Sequence, residues 1–141
     1  MLWFAFPILL ALLFPVSLSA GSDLPAEVTA QRNPGKRSEI AIDAADRSLD
    51  QARAYYKAGQ DEQGEQQLDL ISKLADECLS STEEARKSKY WKKSELRVAA
   101  LNRRVRSFAE ELGYNQRDKA NQLAAHLSSV HDKLLAGVMK K

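Results

Sequence analysis

SEIAIDAADRSLDQARAYYKAG, residues 38–59, decides the fold. Ile42, Ala45, Leu49, Ala52 and Tyr56 recur at steps of 3, 4, 3 and 4. On a helix of about 3.6 residues per turn that spacing draws one continuous apolar line, with the charged residues between its members. Ser38 is a candidate N-cap, because a hydroxyl there accepts from a free backbone N–H. Gly59 is a candidate stop, because glycine enters the left-handed conformation without a Cβ penalty.

The same period repeats three more times. Between about 61 and 82, Leu68, Ile71, Ala75, Cys78 and Leu79 share a face, with Leu74 at its edge. Asp61 can cap this segment, and Asp61, Glu62 and Glu65 lie where a helix dipole favours negative charge. From about 85 or 89 to 112, Val98, Leu101, Val105, Phe108 and Leu112 form the stripe, with Tyr90 on the same side, and Gly113 ends it. From about 118 to 138, Leu123, Leu127, Val130, Leu134 and Val138 step by 4, 3, 4 and 4. No proline occurs after Pro34, and strand-forming residues never alternate. These features predict an all-α domain over residues 38–141. Its four amphipathic helices form two antiparallel hairpins that close as a four-helix bundle. A more open pair of stacked hairpins is the alternative.

Outside that domain, residues 2–16 carry no charge and are almost wholly apolar, followed by Ser17, Ser19, Ala20, Gly21 and Ser22. Residues 1–20 therefore read as a signal peptide, which places the protein in a periplasmic or extracellular space. The n-region has no Lys or Arg. The alternative is an uncleaved membrane anchor, although Pro7 and Pro15 interrupt a stretch that barely reaches the roughly 20 apolar residues a spanning helix needs. Residues 21–37, with Pro25, Pro34 and Gly35, read as a flexible linker. Lipid attachment at the leader needs a Cys there, and the only one is Cys78. No Asn-x-Ser/Thr glycosylation site is present.

Charge is divided along the chain. Asp23 to Glu84 carries a net −7 and Ala85 to Lys141 a net +9, against +2 overall. A net charge this small does not imply nucleic acid, which an exported protein rarely meets. The plain reading is that the acidic hairpin attracts the basic one. The sharper reading is a binding surface on the third helix, where Lys89, Lys92, Lys93, Arg97, Arg103, Arg104 and Arg106 lie opposite the apolar stripe and Trp91 borders them. Glu95, Glu110 and Glu111 interrupt that run.

Catalytic chemistry has no signature here. His126 and His131 are five apart, about 140° around a helix, whereas a metal pair needs a spacing of about three or four. No Glu-x-x-His, Gly-rich phosphate loop or nucleophile motif occurs, so no cofactor and no enzyme are expected. His131 reads as a boundary histidine satisfied by a neighbouring helix. Cys78 reads as a buried small hydrophobe, with an intermolecular disulfide as the alternative for an odd cysteine in an exported chain.

Ala54 to Leu68, AYYKAGQDEQGEQQL, resembles the turn of a tetratricopeptide hairpin, with Tyr-x-x-Gly, an acidic turn and an amphipathic helix. The likeness covers that turn only, and no 34-residue repeat follows. The Tyr-Tyr-Lys-Ala-Gly turn, Ser94-Glu95-Leu96-Arg97 through Arg103-Arg104, and His131-Asp132-Lys133-Leu134-Leu135-Ala136-Gly137 together resemble small secreted helical proteins of acidobacterial type. That resemblance implies a bacterial envelope location and no activity. The expected function is contact with a protein partner or with a second copy. Binding of an anionic surface through the same basic face is the alternative.

Overall fold

The computed structural model describes residues 24–140. The leader reading, residues 1–20, lies outside them. Five helices follow one another: α1 (Ala26–Thr29), α2 (Pro34–Lys57), α3 (Asp61–Ala85), α4 (Ser88–Glu111) and α5 (Arg117–Met139), with a 3-10 turn at Tyr114–Gln116 before α5. No strand occurs among the described residues, and no described helix is long and apolar enough to cross a membrane. The four long helices form the expected all-α four-helix bundle.

The apolar lines seen in the sequence are its core. Every stripe residue is buried except Tyr90 and Val138, which are half-buried. Ile42 and Leu49 from α2, Leu68, Ile71 and Leu74 from α3, Val98, Leu101, Val105 and Phe108 from α4, and Leu127 and Leu134 from α5 are all within 1% of complete burial. On α2 the buried face is mostly Ala41, Ala44, Ala45, Ser48 and Ala52, small residues that let neighbouring helices approach closely. Glycines do the same where rings cross: Gly35 receives Tyr90 of α4, Gly137 receives Trp91, and a Cβ on Gly64 would stand 2.6 Å from the Tyr56 ring.

Ion pairs reveal how the hairpins are stacked. Glu39 pairs with Lys93, Asp43 with Arg97, and Asp46 and Asp50 with Arg104. The numbers climb together, so α2 and α4 run parallel. The Asp69–Lys119 ion pair and the Asp76–His126 hydrogen bond show that α3 and α5 also run parallel. The acidic hairpin α2–α3 therefore lies on the basic hairpin α4–α5 with like helices side by side. A further contact between the hairpins joins α3 to α4 through Thr82 Oγ1 and Ser94 Oγ, 2.8 Å apart.

The linker reading of residues 21–37 needs correction over residues 24–37, while residues 21–23 lie outside the described ones. Helix α2 starts at Pro34, and its N-cap is Asn33, whose side chain accepts from Lys36 N at 3.2 Å. Proline breaks a helix interior, but at the first helical position its fixed φ fits and its missing N–H is not needed. Ser38 lies one turn inside, buried, and donates to the Gly35 carbonyl at 2.6 Å. Ahead of α2, Val28 is fully buried and Leu24 packs on the core. Arg37 ties this strap down: its guanidinium donates to the Gln31 carbonyl at 3.0 Å, to Ser81 at 2.8 Å and to Glu77 at 3.1 Å, and it also pairs with Glu84. Asp61, likewise, is the first residue of α3 rather than its cap.

The turns differ in kind. Gly59 ends α2 at φ +75°, and Gln60 N donates to Tyr55 O at 2.9 Å, the wrapped closure that glycine makes possible. The α3–α4 turn is only Arg86 and Lys87, with Arg86 left-handed at φ 54°. A non-glycine residue holds that conformation at a cost of roughly 1–2 kcal/mol.

Candidate functional site

Helix α4 carries the sequence-nominated surface, and the bundle divides it. A helix in a bundle has a core side, two flanks and an outward side. A wheel shows the polar arc without showing which part a neighbour covers. Lys93, Arg97 and Arg104 lie on the flank against α2. Lys93 donates to Glu39 at 2.8 Å, Arg97 to Asp43 at 2.6 Å and Asp46 at 3.0 Å, and Arg104 to Asp46 at 2.8 Å and Asp50 at 2.7 Å. Partial burial works against the Arg97 charge, but hydrogen bonds to Asp43 and Asp46 outweigh it and raise its pKa. Arg106 lies on the other flank, donating to Ser128 of α5 at 3.0 Å and to Asn102 at 3.4 Å. Trp91 is half-buried against the core and Gly137. These five residues are structural contacts, so the basic arc is not a single exposed surface.

What remains outward is Lys89, Lys92 and Arg103. All three are exposed. Lys92 and Arg103 have no partner among the described residues, and Lys89 rests over its neighbour Tyr90, 4.9 Å from the ring centre. Between them stands Leu96, 57% exposed. Leu96 did not enter the nominated surface. Its signal in the sequence is a large apolar side chain inside the polar arc of α4. An open groove of about 550 Å³ forms here, lined by Ser88, Lys89, Lys92, Lys93, Leu96 and Val138. Leu135 and Met139 are exposed on the last turns of α5, so apolar surface continues at this end of the bundle.

The other candidates resolve differently. Cys78 is fully buried, which contradicts the intermolecular disulfide: no partner sulfur reaches it in the folded state. Burial pushes its thiol pKa up to about 11, so it also lacks thiolate character. The two histidines face different helices, as their spacing requires. His126 meets Asp76 of α3 at 2.7 Å and His131 meets Glu95 of α4 at 2.7 Å. No group of three His, Cys, Asp or Glu side chains suited to a metal occurs among the described residues.

A second cavity, about 220 Å³, lies at the opposite end between Arg53, Tyr56 and Lys57 of α2 and Phe108 and Glu111 of α4. The Tyr56 hydroxyl is buried there without a hydrogen-bond partner, and Arg53 Nε stands 3.2 Å from Glu111 Oε2 without hydrogen-bond alignment. Burial, aided by Glu65, Asp61 and Asp69, pushes the Tyr56 hydroxyl up to about 12, so it stays protonated at neutral pH. No nucleophile and base converge in this cavity.

No protein-family profile, curated protein or solved structure matches this chain.

Proposed function

We propose that this protein is an exported, non-enzymatic helical protein that works by contact, docking a protein partner through the outward side of α4. The observation that carries the reading is the division of charge on that helix. Lys93, Arg97 and Arg104 are consumed in holding α2, whereas Lys89, Lys92 and Arg103 stay outward beside an exposed leucine. A leucine left 57% exposed marks a contact surface, and the cations without a carboxylate partner along the same line raise specificity toward acidic surfaces. The apolar leader supports export.

The test is a photo-crosslinking residue placed at Leu96 or, as control, at exposed Glu62 on α3, in cells producing the full chain. Discrete adducts from position 96 and none from position 62 are expected. Equal labelling at both positions, or none at 96, refutes the reading.

A second reading, an anionic membrane surface, is favoured by the same lysines beside Leu96 and Met139. Contact that is purely electrostatic collapses as the Debye length falls from about 10 Å at 0.1 M salt to about 3 Å at 1 M. Co-sedimentation with anionic vesicles that disappears over that range, without protein adducts, identifies it.

A further inference from the structure

We infer that the occupant of the outward side of α4 is an acidic amphipathic helix; this rests on the docking reading above and names its partner's chemistry. Lys89, Lys92, Leu96, Ala99 and Arg103 step by 3, 4, 3 and 4 along α4. They form one line about 21 Å long at 1.5 Å per residue, the length of four turns of a facing helix. The order along it is cation, cation, apolar, small, cation. A complementary helix places carboxylates against Lys89, Lys92 and Arg103 and one apolar side chain against Leu96, in the groove that Val138 also lines. Such stripe-in-groove recognition depends on anchors spaced at three and four residues.

The chain already uses this recognition on the neighbouring flank of the same helix. There α2 offers Glu39, Asp43, Asp46 and Asp50, spaced 4, 3 and 4, and Lys93, Arg97 and Arg104 take them. The outward line, with cations at Lys89, Lys92 and Arg103, has no carboxylate paired with it among the described residues. Its cations are spaced differently from those of the flank, and it adds the exposed Leu96, so its occupant must carry an apolar residue as well as acid. A second copy does not meet that requirement with α3. The outward line of α3, Glu62, Gln66, Asp69, Lys73, Asp76, Ser80 and Glu83, has no apolar member.

A lipid bilayer fits less well. A flat anionic surface laid on α4 also meets the carboxylates beside the cationic line. Asp132 of α5 has 82% of its side chain exposed, Glu39 of α2 has 35%, and Glu110 is exposed on α4 itself. A single helix is narrow enough to follow the cations between them.

The experiment uses the full-length protein and a fluorescent synthetic helix carrying Glu, Glu, Leu and Glu at the complementary spacing. Its controls are a peptide of the same composition with the register scrambled, and vesicles containing an anionic lipid. Binding of the registered peptide, at least tenfold tighter than the scrambled one, is expected. The pair Lys89→Glu and Lys92→Glu should weaken it about tenfold or more, and a peptide with Lys in place of its two facing Glu residues should restore it. Leu96→Ser should weaken it without lowering thermal stability, because Leu96 is already exposed. Equal binding of both peptides overturns the inference, as does binding to vesicles alone. A dimer by light scattering that the peptide does not displace overturns it in favour of a second copy. Crosslinking at position 96 without peptide binding removes the acidic helix and leaves the docking surface standing. Absence of both removes the two together.

Discussion

Arg97→Glu should unfold this protein more easily, and Arg103→Glu should not. The two arginines are six residues apart on one helix, and sequence alone treats them alike. Arg97 keeps 34% of its side chain exposed and sits 2.6 Å from Asp43 and 3.0 Å from Asp46. Exposed ion pairs contribute about 0.2–1 kcal/mol. The partial burial here places each of these near the upper end, about 1 kcal/mol. Reversal removes two attractions and installs two repulsions of similar size, about 4 kcal/mol if nothing moves. Turning the glutamate toward solvent relieves the repulsions, which leaves a loss of about 2 kcal/mol. For a domain of this length about 4 °C of midpoint accompanies each kcal/mol, so the midpoint should fall by about 8 °C. Arg103→Glu touches no partner and should stay within about 0.5 kcal/mol of the parent. The assay is thermal unfolding followed by far-ultraviolet circular dichroism at 0.1 M and 1 M salt. The Arg97 deficit should shrink at high salt, and Asp43→Arg in the Arg97→Glu background should recover at least half of it. Equal midpoints for the two reversals, or no recovery in the double variant, would refute the assignment of Arg97 to the hairpin interface. Asp46 also receives Arg104, so reversals at 97 and 104 should not add.

Cys78 should resist alkylation in the native protein at pH 8 and react once urea unfolds it; rapid native labelling would contradict its burial. Its folded pKa, about 11 against 9.0, is raised. Its stabilising contribution is therefore complete below pH 9 and lost as pH rises toward 11, so urea midpoints should fall across that window and fall less in Cys78→Ala. Tyr56→Phe removes a buried hydroxyl that has no partner and should leave stability unchanged or raise it by up to about 1 kcal/mol. A loss above 1 kcal/mol, on the order of a hydrogen bond, in urea unfolding would show that the hydroxyl is bonded. Arg86→Gly should raise stability by about 1 kcal/mol by relieving the left-handed backbone at φ 54°; a lower denaturation midpoint would count against strain at that turn.

The site was less legible than the fold. His131 against Glu95 was readable as a boundary contact with a neighbouring helix, because its angular position on α5 follows from local spacing. The division of the basic arc was not readable. Lys93 and Lys92 are adjacent in sequence, yet one is held by Glu39 and the other is free among the described residues. That difference depends on where α2 lies, and helical phase within α4 carries no information about it. Leu96 falls outside the dominant stripe of α4, and helical period alone assigns no role to an apolar residue there.

The sequence by itself determined the four helices, the residues they bury and the glycine stop at Gly59. Helical periodicity, glycine conformation and the preference of apolar side chains for burial are properties of short segments and act wherever the chain goes. The start of α2 at Pro34 has a local cause in the Asn33 cap on Lys36, and tertiary structure adds Tyr90 packed against Gly35, which buries that first turn. Tertiary structure decided the rest. Short turns make alternate helices parallel, but that α2 lies on α4 and α3 on α5 is set by tertiary packing, and opposite charges meet there at matching heights. Once α2 and α5 have taken the two flanks of α4, Lys89, Lys92 and Arg103 are the cations left outward on that face.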